Sequence, residues 1–266
     1  GICLRAIPAI FYGEGVIEAP DKLHMLAIRI DNFTMAEAIE TILQWLGEPT
    51  LNQICFVNAD CANIAFRDAE YLKVLNNSRL CFADGVGLKM AGKLLGQNIA
   101  QNVNGTDMFP LLCKSLAQTE FKLYLLGARP EVVEGVANWV QTNYPNVKLC
   151  GYHHGYFTPE EEAQVIQEIK NLGTHLLLVA FGAPKQDAWI GQNLEKTGVK
   201  VGIGVGGLFD FYSGRIPRAP VWMREIGMEW FYRFLQEPGR LWKRYFVGNA
   251  VFLYRVLKEK YFPPKS

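Results

Sequence analysis

Runs of apolar residues alternate along most of this chain with amphipathic stretches of helical period. Leu23–Ile30 reads as a strand, and Thr34, with Glu37 three residues on, predicts a capping box for a helix over Met35–Leu46. Gln53–Val57 has the unbroken apolar character of a strand buried on both faces, closed by Asn58 and followed by a helix through Ala62–Leu75. Strands are predicted at Arg79–Ala83, Lys122–Leu126, Val147–Tyr152, His175–Ala180 and Val199–Val205. Helices are predicted at Leu88–Leu95, Met108–Ala117, Glu131–Tyr144, after Thr158-Pro159, and at Asp187–Lys196.

This alternation predicts an α/β fold: a mostly parallel, Rossmann-like sheet with helices on both faces. In such sheets ligands collect outside the carboxyl ends of the strands. Asn58, Asp84, Gly127, Gln186 and Asp210 all fall at predicted strand ends, so several independent turns point at one edge. After Gly214 the pattern changes. A basic, proline-bearing connector leads into two helical patterns, Trp222–Leu235 and Leu241–Lys260, rich in Trp, Tyr, Phe and Arg. The expected organisation is an extension over 1–22, an α/β catalytic domain over 23–214 and a helical appendage over 215–266.

Charge sharpens that division. The net charge of +1 conceals eleven Lys or Arg against four Glu from Arg215 onward, and sixteen basic against twenty-two acidic residues before it. A basic tail on an acidic body calls for an anionic partner. Trp and Tyr beside Arg215, Arg218, Arg224, Arg233, Arg240 and Arg244 suit a lipid diphosphate at a membrane surface. An amphipathic helix pair packed on the body fits the same pattern. No nucleic-acid-binding motif is present. No apolar run reaches the length of a membrane span, and no signal-peptide pattern is read at the start. The six Cys form no C-x-x-C, which predicts reduced thiols rather than a disulfide framework or a zinc site. Apolar patches on the body leave a homo-oligomer open.

Asp84, in Ala83-Asp84-Gly85-Val86-Gly87, is the candidate general base, or else a turn-stabilising residue before glycine. Gly202–Gly207, with Gly206 at its end, is a candidate phosphate-binding turn, or else a tightly packed strand. It lies at the last strand rather than the first, which speaks against a dinucleotide fingerprint and a nicotinamide oxidoreductase. Lys185 and Gln186 can donate to a sugar or phosphate, or simply start a helix. Adjacent His153 and His154 point apart and read as loop residues. No Asp-x-Asp pair is present to clamp a Mg²⁺-diphosphate.

These residues resemble the WecG/TagA/CpsF glycosyltransferases over about His24–Tyr261. The resemblance rests on Phe82–Gly87, on Asn104-Gly105-Thr106-Asp107, on Phe181–Trp189, on Gly204–Asp210, and on Arg218-Ala219-Pro220, Glu229-Trp230, Arg233 and Glu237–Arg240. It implies an inverting, metal-independent transfer from a UDP-sugar to a polyprenyl-diphosphate-linked saccharide. The setting it implies is the cytoplasmic face of the plasma membrane, with the protein held peripherally. Asp84 matches the family's proposed base, Gln186 a pocket residue and Asp210 an acid near the nucleotide. Asn58, Asn102, Asp107, Gly127 and Gly206 complete the expected substrate-binding set. Two positions depart from the teichoic-acid members of the family. Phe56 stands where they carry a pocket Thr, and Asn102 where they carry Arg, so N-acetylmannosamine is not assumed as the donor sugar. The rival reading outside enzymology is a membrane-associated nucleotide-binding protein without turnover.

Overall fold

The computed structural model describes residues 22–262; the expected N-terminal extension, except Lys22, lies outside them. Six parallel strands form the central sheet: β3 (Asn52–Val57), β4 (Leu80–Ala83), β5 (Lys122–Gly127), β6 (Lys148–His153), β7 (Leu176–Ala180) and β8 (Val201–Gly204). Their spatial order is β4-β3-β8-β7-β5-β6, every pair parallel. All twenty-five residues of β3, β4, β7, β8 and the last five of β5, taken with Lys122, alternate between two faces, and nearly all are buried. Ile54, Phe56, Leu123, Leu125, Leu176, Leu178, Val201 and Ile203 point to one core, while Cys55, Val57, Tyr124, Leu126, Leu177 and Val179 point to the opposite face. Helices α1 (Met35–Leu46), α5 (Gly105–Leu116), α6 (Pro130–Asn143) and α9 (Leu208–Tyr212) cover the first face. Helices α2 (Ala59–Ala65), α3 (Ala69–Asn77), α7 (Pro159–Asn171) and α8 (Lys185–Thr197) cover the second. Helix α4 (Val86–Leu94) lies between β4 and α5 in sequence.

Several boundaries differ from the sequence expectation. Leu23–Ile30 is a hairpin rather than one strand: β1 (Lys22–Met25) pairs antiparallel with β2 (Ile28–Asp31), turning at Leu26 and Ala27, both at positive φ. The helix expected over Ala62–Leu75 is two, because Asp68 leaves helical geometry and caps α3 with bonds from the amides of Glu70 and Tyr71. The tail's first pattern is also broken. α10 (Val221–Glu225) and α11 (Glu229–Gln236) are separated by Gly227 at φ 77°. Its second pattern is α12 (Pro238–Trp242), a π-helical turn (Lys243–Gly248) and α13 (Asn249–Tyr261) in continuous succession.

The tail is docked on the body. Phe252 and Val256 of α13 are buried in the same apolar cluster as the hairpin, α2 and α4. Glu259 accepts from the Leu26 amide at 2.9 Å, and Asn63 of α2 donates to the Gly248 carbonyl at 2.7 Å. No helix among the described residues is long and apolar enough to cross a membrane.

Candidate active site

Five βα turns meet at the carboxyl edge of the sheet. Asp84 follows directly on β4, and its amide donates to the Val57 carbonyl of the neighbouring strand at 2.8 Å. Gly85 follows at φ 95°, a conformation that costs side-chain-bearing residues, and so lets the chain turn directly into α4. Asn102 accepts from the Gly85 amide at 2.6 Å, so it braces the turn that carries Asp84. Next to it, Asn58 closes β3 and caps α2 through the amides of Asp60 and Cys61.

Burial pushes the Asp84 carboxyl up to about 6; Asn58 beside it and Arg244 from the tail act against the rise, while Glu229 and Asp107 add to it. Part of Asp84 still meets solvent. A carboxylate in this state is a competent base near neutral pH, since it is ionised at pH 7 and yet binds a proton more readily than a free aspartate.

Gln186 is buried at the start of α8. Its Oε1 accepts from the amides of Gly182 (3.1 Å) and Gly206 (2.9 Å), and so ties the turns after β7 and β8 together. That role places it behind the loops, holding their shape. Gly127 ends β5 at φ 125° and packs so tightly that a Cβ there would lie 2.7 Å from the Ala180 carbonyl oxygen. Phe56 faces the core, with its ring against Gly105 and Phe82.

The tail closes over this edge. Arg218 donates to Asp107 (2.8 Å) and to Glu229 (3.1 Å), and Arg224 approaches Asp107 at 3.6 Å. Asp107 also receives the Asn104 amide group at 2.8 Å. Burial works against ionisation of Asp107, but bonds from Asn104 and Arg218 outweigh it and hold the carboxyl below the ordinary range. Arg215 pairs with Asp210, Arg240 with Glu237, and Arg244 with Asp60 at 3.1 Å.

Arg233 differs from these five. It takes part in no ion pair among the described residues, its Nε is buried without a partner, and burial lowers its pKa. Its guanidinium stacks over Phe211 at 5.1 Å and lies against Gly207, where a Cβ would meet it at 2.6 Å. A largely desolvated cation beside a glycine turn, with no carboxylate partner among the described residues, has the chemistry to meet an anion.

The structure therefore gathers Asp84, Asn58, Asn102 and Asp107 on one side of the edge and Gln186 and Gly206 on the other, with tail arginines reaching both. Three residues escaped the sequence reading. Glu229 shares the Arg218 clasp. Tyr245, on the π-helical turn, sits in the combined field of Arg233, Arg244 and Asp84, and burial is the main cause of its raised pKa. Asp187 is fully buried, accepts from the Tyr71 hydroxyl at 2.9 Å, keeps its other oxygen unpartnered, and is raised to about 6 by burial. Its position beside Gln186 in the quoted motif was the available signal.

The chain is similar to known proteins over most of its length. The family model described as "Glycosyl transferase WecG/TagA/CpsF family" matches residues 23–266. Among similar curated proteins is an N-acetylglucosaminyldiphosphoundecaprenol N-acetyl-beta-D-mannosaminyltransferase of Bacillus subtilis (strain 168). It is 34% identical over 207 residues, covering 78% of this chain and 79% of that protein. A protein of the same name from Staphylococcus aureus (strain MW2) is 32% identical over 245 residues, covering 90% and 93%.

Proposed function

The chain belongs to the WecG/TagA/CpsF glycosyltransferase family, and from that premise we propose that it moves a hexose-type sugar from a UDP-sugar to a polyprenyl-diphosphate-linked saccharide, with inversion and without a metal. The observation that carries this reading is Asp84: a carboxylate at the carboxyl edge of the sheet, raised to about 6 by burial, with Asn58 beside it and Arg244 of the tail in its field.

In the proposed reaction the donor lies across the turns after β5, β7 and β8, near Gly127, Gly206 and Asp210. Asp84 takes the proton of the acceptor hydroxyl as its oxygen attacks the anomeric carbon from the face opposite UDP. The bond between that carbon and the diphosphate oxygen breaks, and UDP leaves with the electron pair. Arg233 and the amides of the glycine turn meet the diphosphate charge in the place of a cation. Support for the metal-free reading comes from Arg233, a guanidinium without an ion-pair partner among the described residues, set against the glycine turn.

The relatives' names make N-acetylmannosamine the first donor to test and N-acetylglucosamine on a polyprenyl diphosphate the first acceptor. A lipid-linked acceptor requires the protein to work at a membrane surface, on the cytoplasmic side if the donor is a cytosolic nucleotide sugar. Trp222, Leu235, Trp242, Phe246 and Val247 of the tail are exposed and suit that surface.

The test is UDP release by purified protein with a panel of UDP-sugars and a lipid-diphosphate saccharide, with and without EDTA. Acceptor-dependent release that persists in EDTA is expected. Release abolished by EDTA and restored by a divalent cation overturns the metal-free reading. No release with any donor and acceptor pair, despite UDP binding, favours the non-catalytic rival.

A further inference from the structure

Helix α4 begins two residues after Asp84 and carries Val86, Lys89, Met90 and Lys93 on its exposed side, at i, i+3, i+4 and i+7. Its inner side, Leu88, Ala91 and Gly92, is buried. Met90 is 55% exposed, an unusual position for a large apolar side chain with an inward face available. The stripe contains no acid, and no Asp or Glu occurs between Asp84 and Asp107.

This stripe is not isolated. Val86 lies beside Gly227, where an added Cβ would come to 3.5 Å from the valine side chain, so the outer side of α4 adjoins α10 and the segment after it, with exposed Val221, Trp222 (61%) and Ile226. On another side α13 packs against α4 and presents exposed Leu253 and Tyr254. Apolar side chains, two lysines, a tryptophan and the exposed Glu225 thus form one surface that adjoins the Asp84 turn.

We propose that α4 of the catalytic domain is itself a membrane-docking element, and that the surface formed by α4 and α10 lies on an anionic bilayer with the Asp84 turn at its margin. This deepens, and rests on, the proposed use of a lipid-linked acceptor. Only a sugar and a diphosphate separate the acceptor hydroxyl from its polyprenyl chain, so the base must work close to the lipid surface. The α4 stripe, apolar with two cations and no acid, suits anionic headgroups above acyl chains, and α10 adds one exposed acid, Glu225, beside Trp222 and Ile226. A second copy of the same face would instead set lysine against lysine. The tail alone would hold the protein to the bilayer without fixing the orientation of Asp84; α4 fixes it.

The experiment is co-sedimentation of the full chain with phosphatidylglycerol vesicles, and with phosphatidylcholine vesicles as the uncharged comparison. Lys89→Gln with Lys93→Gln is expected to lower partition onto phosphatidylglycerol about 30-fold, from about fivefold per lysine near an anionic surface. Met90→Glu is expected to lower partition onto both vesicle types. UDP release with a short-chain, water-soluble acceptor is expected to stay at the wild-type rate in both variants, with release from vesicle-borne acceptor falling in parallel with binding. Wild-type partition in both variants overturns the proposal. So does loss of self-association in Met90→Glu, measured by sedimentation velocity, with vesicle binding intact, which would make the face an interface between copies. Failure of the transferase reading shows separately, as absent UDP release by the wild type on the soluble acceptor, and leaves the partition result standing.

Discussion

Replacing Asp84 by Asn removes a group that the fold holds at an energetic disadvantage. The carboxyl titrates at about 6 in the folded protein against the ordinary 3.8, so its ionised form is disfavoured on folding by about 3 kcal/mol, at about 1.4 kcal/mol per tenfold. Below pH 3.8 the group is protonated in both states and contributes nothing. As pH rises toward 6 the unfolded chain releases a proton that the folded protein retains, and stability falls. Above 6 the full penalty applies. Asp84→Asn is therefore expected to be more stable than wild type by up to about 3 kcal/mol at pH 8, with the gain shrinking to about half that at pH 5. Water still reaches part of the carboxyl, which places the measured gain at or below these figures. Urea unfolding followed by tryptophan fluorescence at the two pH values reads the difference, and the buried Asp187, shared by both proteins, cancels. Equal stability of the two proteins at pH 8, or a gain that does not change with pH, refutes the reasoning. Activity follows the same titration: kcat/KM should fall below about pH 6 with unit slope, because the base must be ionised.

Three further outcomes test the surrounding geometry. Gln186→Met leaves the buried amides of Gly182 and Gly206 without an acceptor and should destabilise the protein by about 2–4 kcal/mol in chemical denaturation, with a raised KM for the donor. Arg218→Met strips Asp107 and Glu229 of their shared guanidinium and should cost about 3 kcal/mol near pH 7; since Asp107 is held low, that difference should narrow as pH falls through the carboxylate range. Arg233→Met removes a desolvated cation that has no ion-pair partner among the described residues and keeps apolar contact with Phe211, so the free protein should lose little stability in a thermal melt, while substrate KM rises about tenfold or more.

The parallel sheet was readable because its strands are short, almost wholly apolar and closed by recognisable turns, and because a doubly covered sheet sends every such turn to one edge. That logic set Asn58, Asp84, Gly127, Gln186 and Asp210 at one edge. The boundaries that were missed share a cause. Leu26 and Ala27 take positive φ without glycine, and Asp68 stops one helix and caps the next inside a continuous amphipathic pattern. Neither leaves a mark on hydrophobic period. The six candidate arginines of the tail read alike in the sequence, yet five form ion pairs and Arg233 forms none among the described residues, because pairing depends on contacts such as Arg218 with Asp107, 111 residues apart. Gln186 and Asn102 looked like ligand-facing polar groups; the structure gives their side-chain oxygens to backbone amides of the loops that shape the site. Tyr245 lies on a π-helical turn, for which the sequence carries no signature, and that turn sets it in the field of Arg233 and Arg244.

The most direct test of the account compares wild type and Asp84→Asn for acceptor-dependent UDP release, with UDP affinity measured alongside by calorimetry. The account predicts that the substitution abolishes release and leaves UDP affinity within about twofold, because Asp84 acts on the acceptor hydroxyl rather than on the nucleotide. Release at the wild-type rate by Asp84→Asn would contradict it.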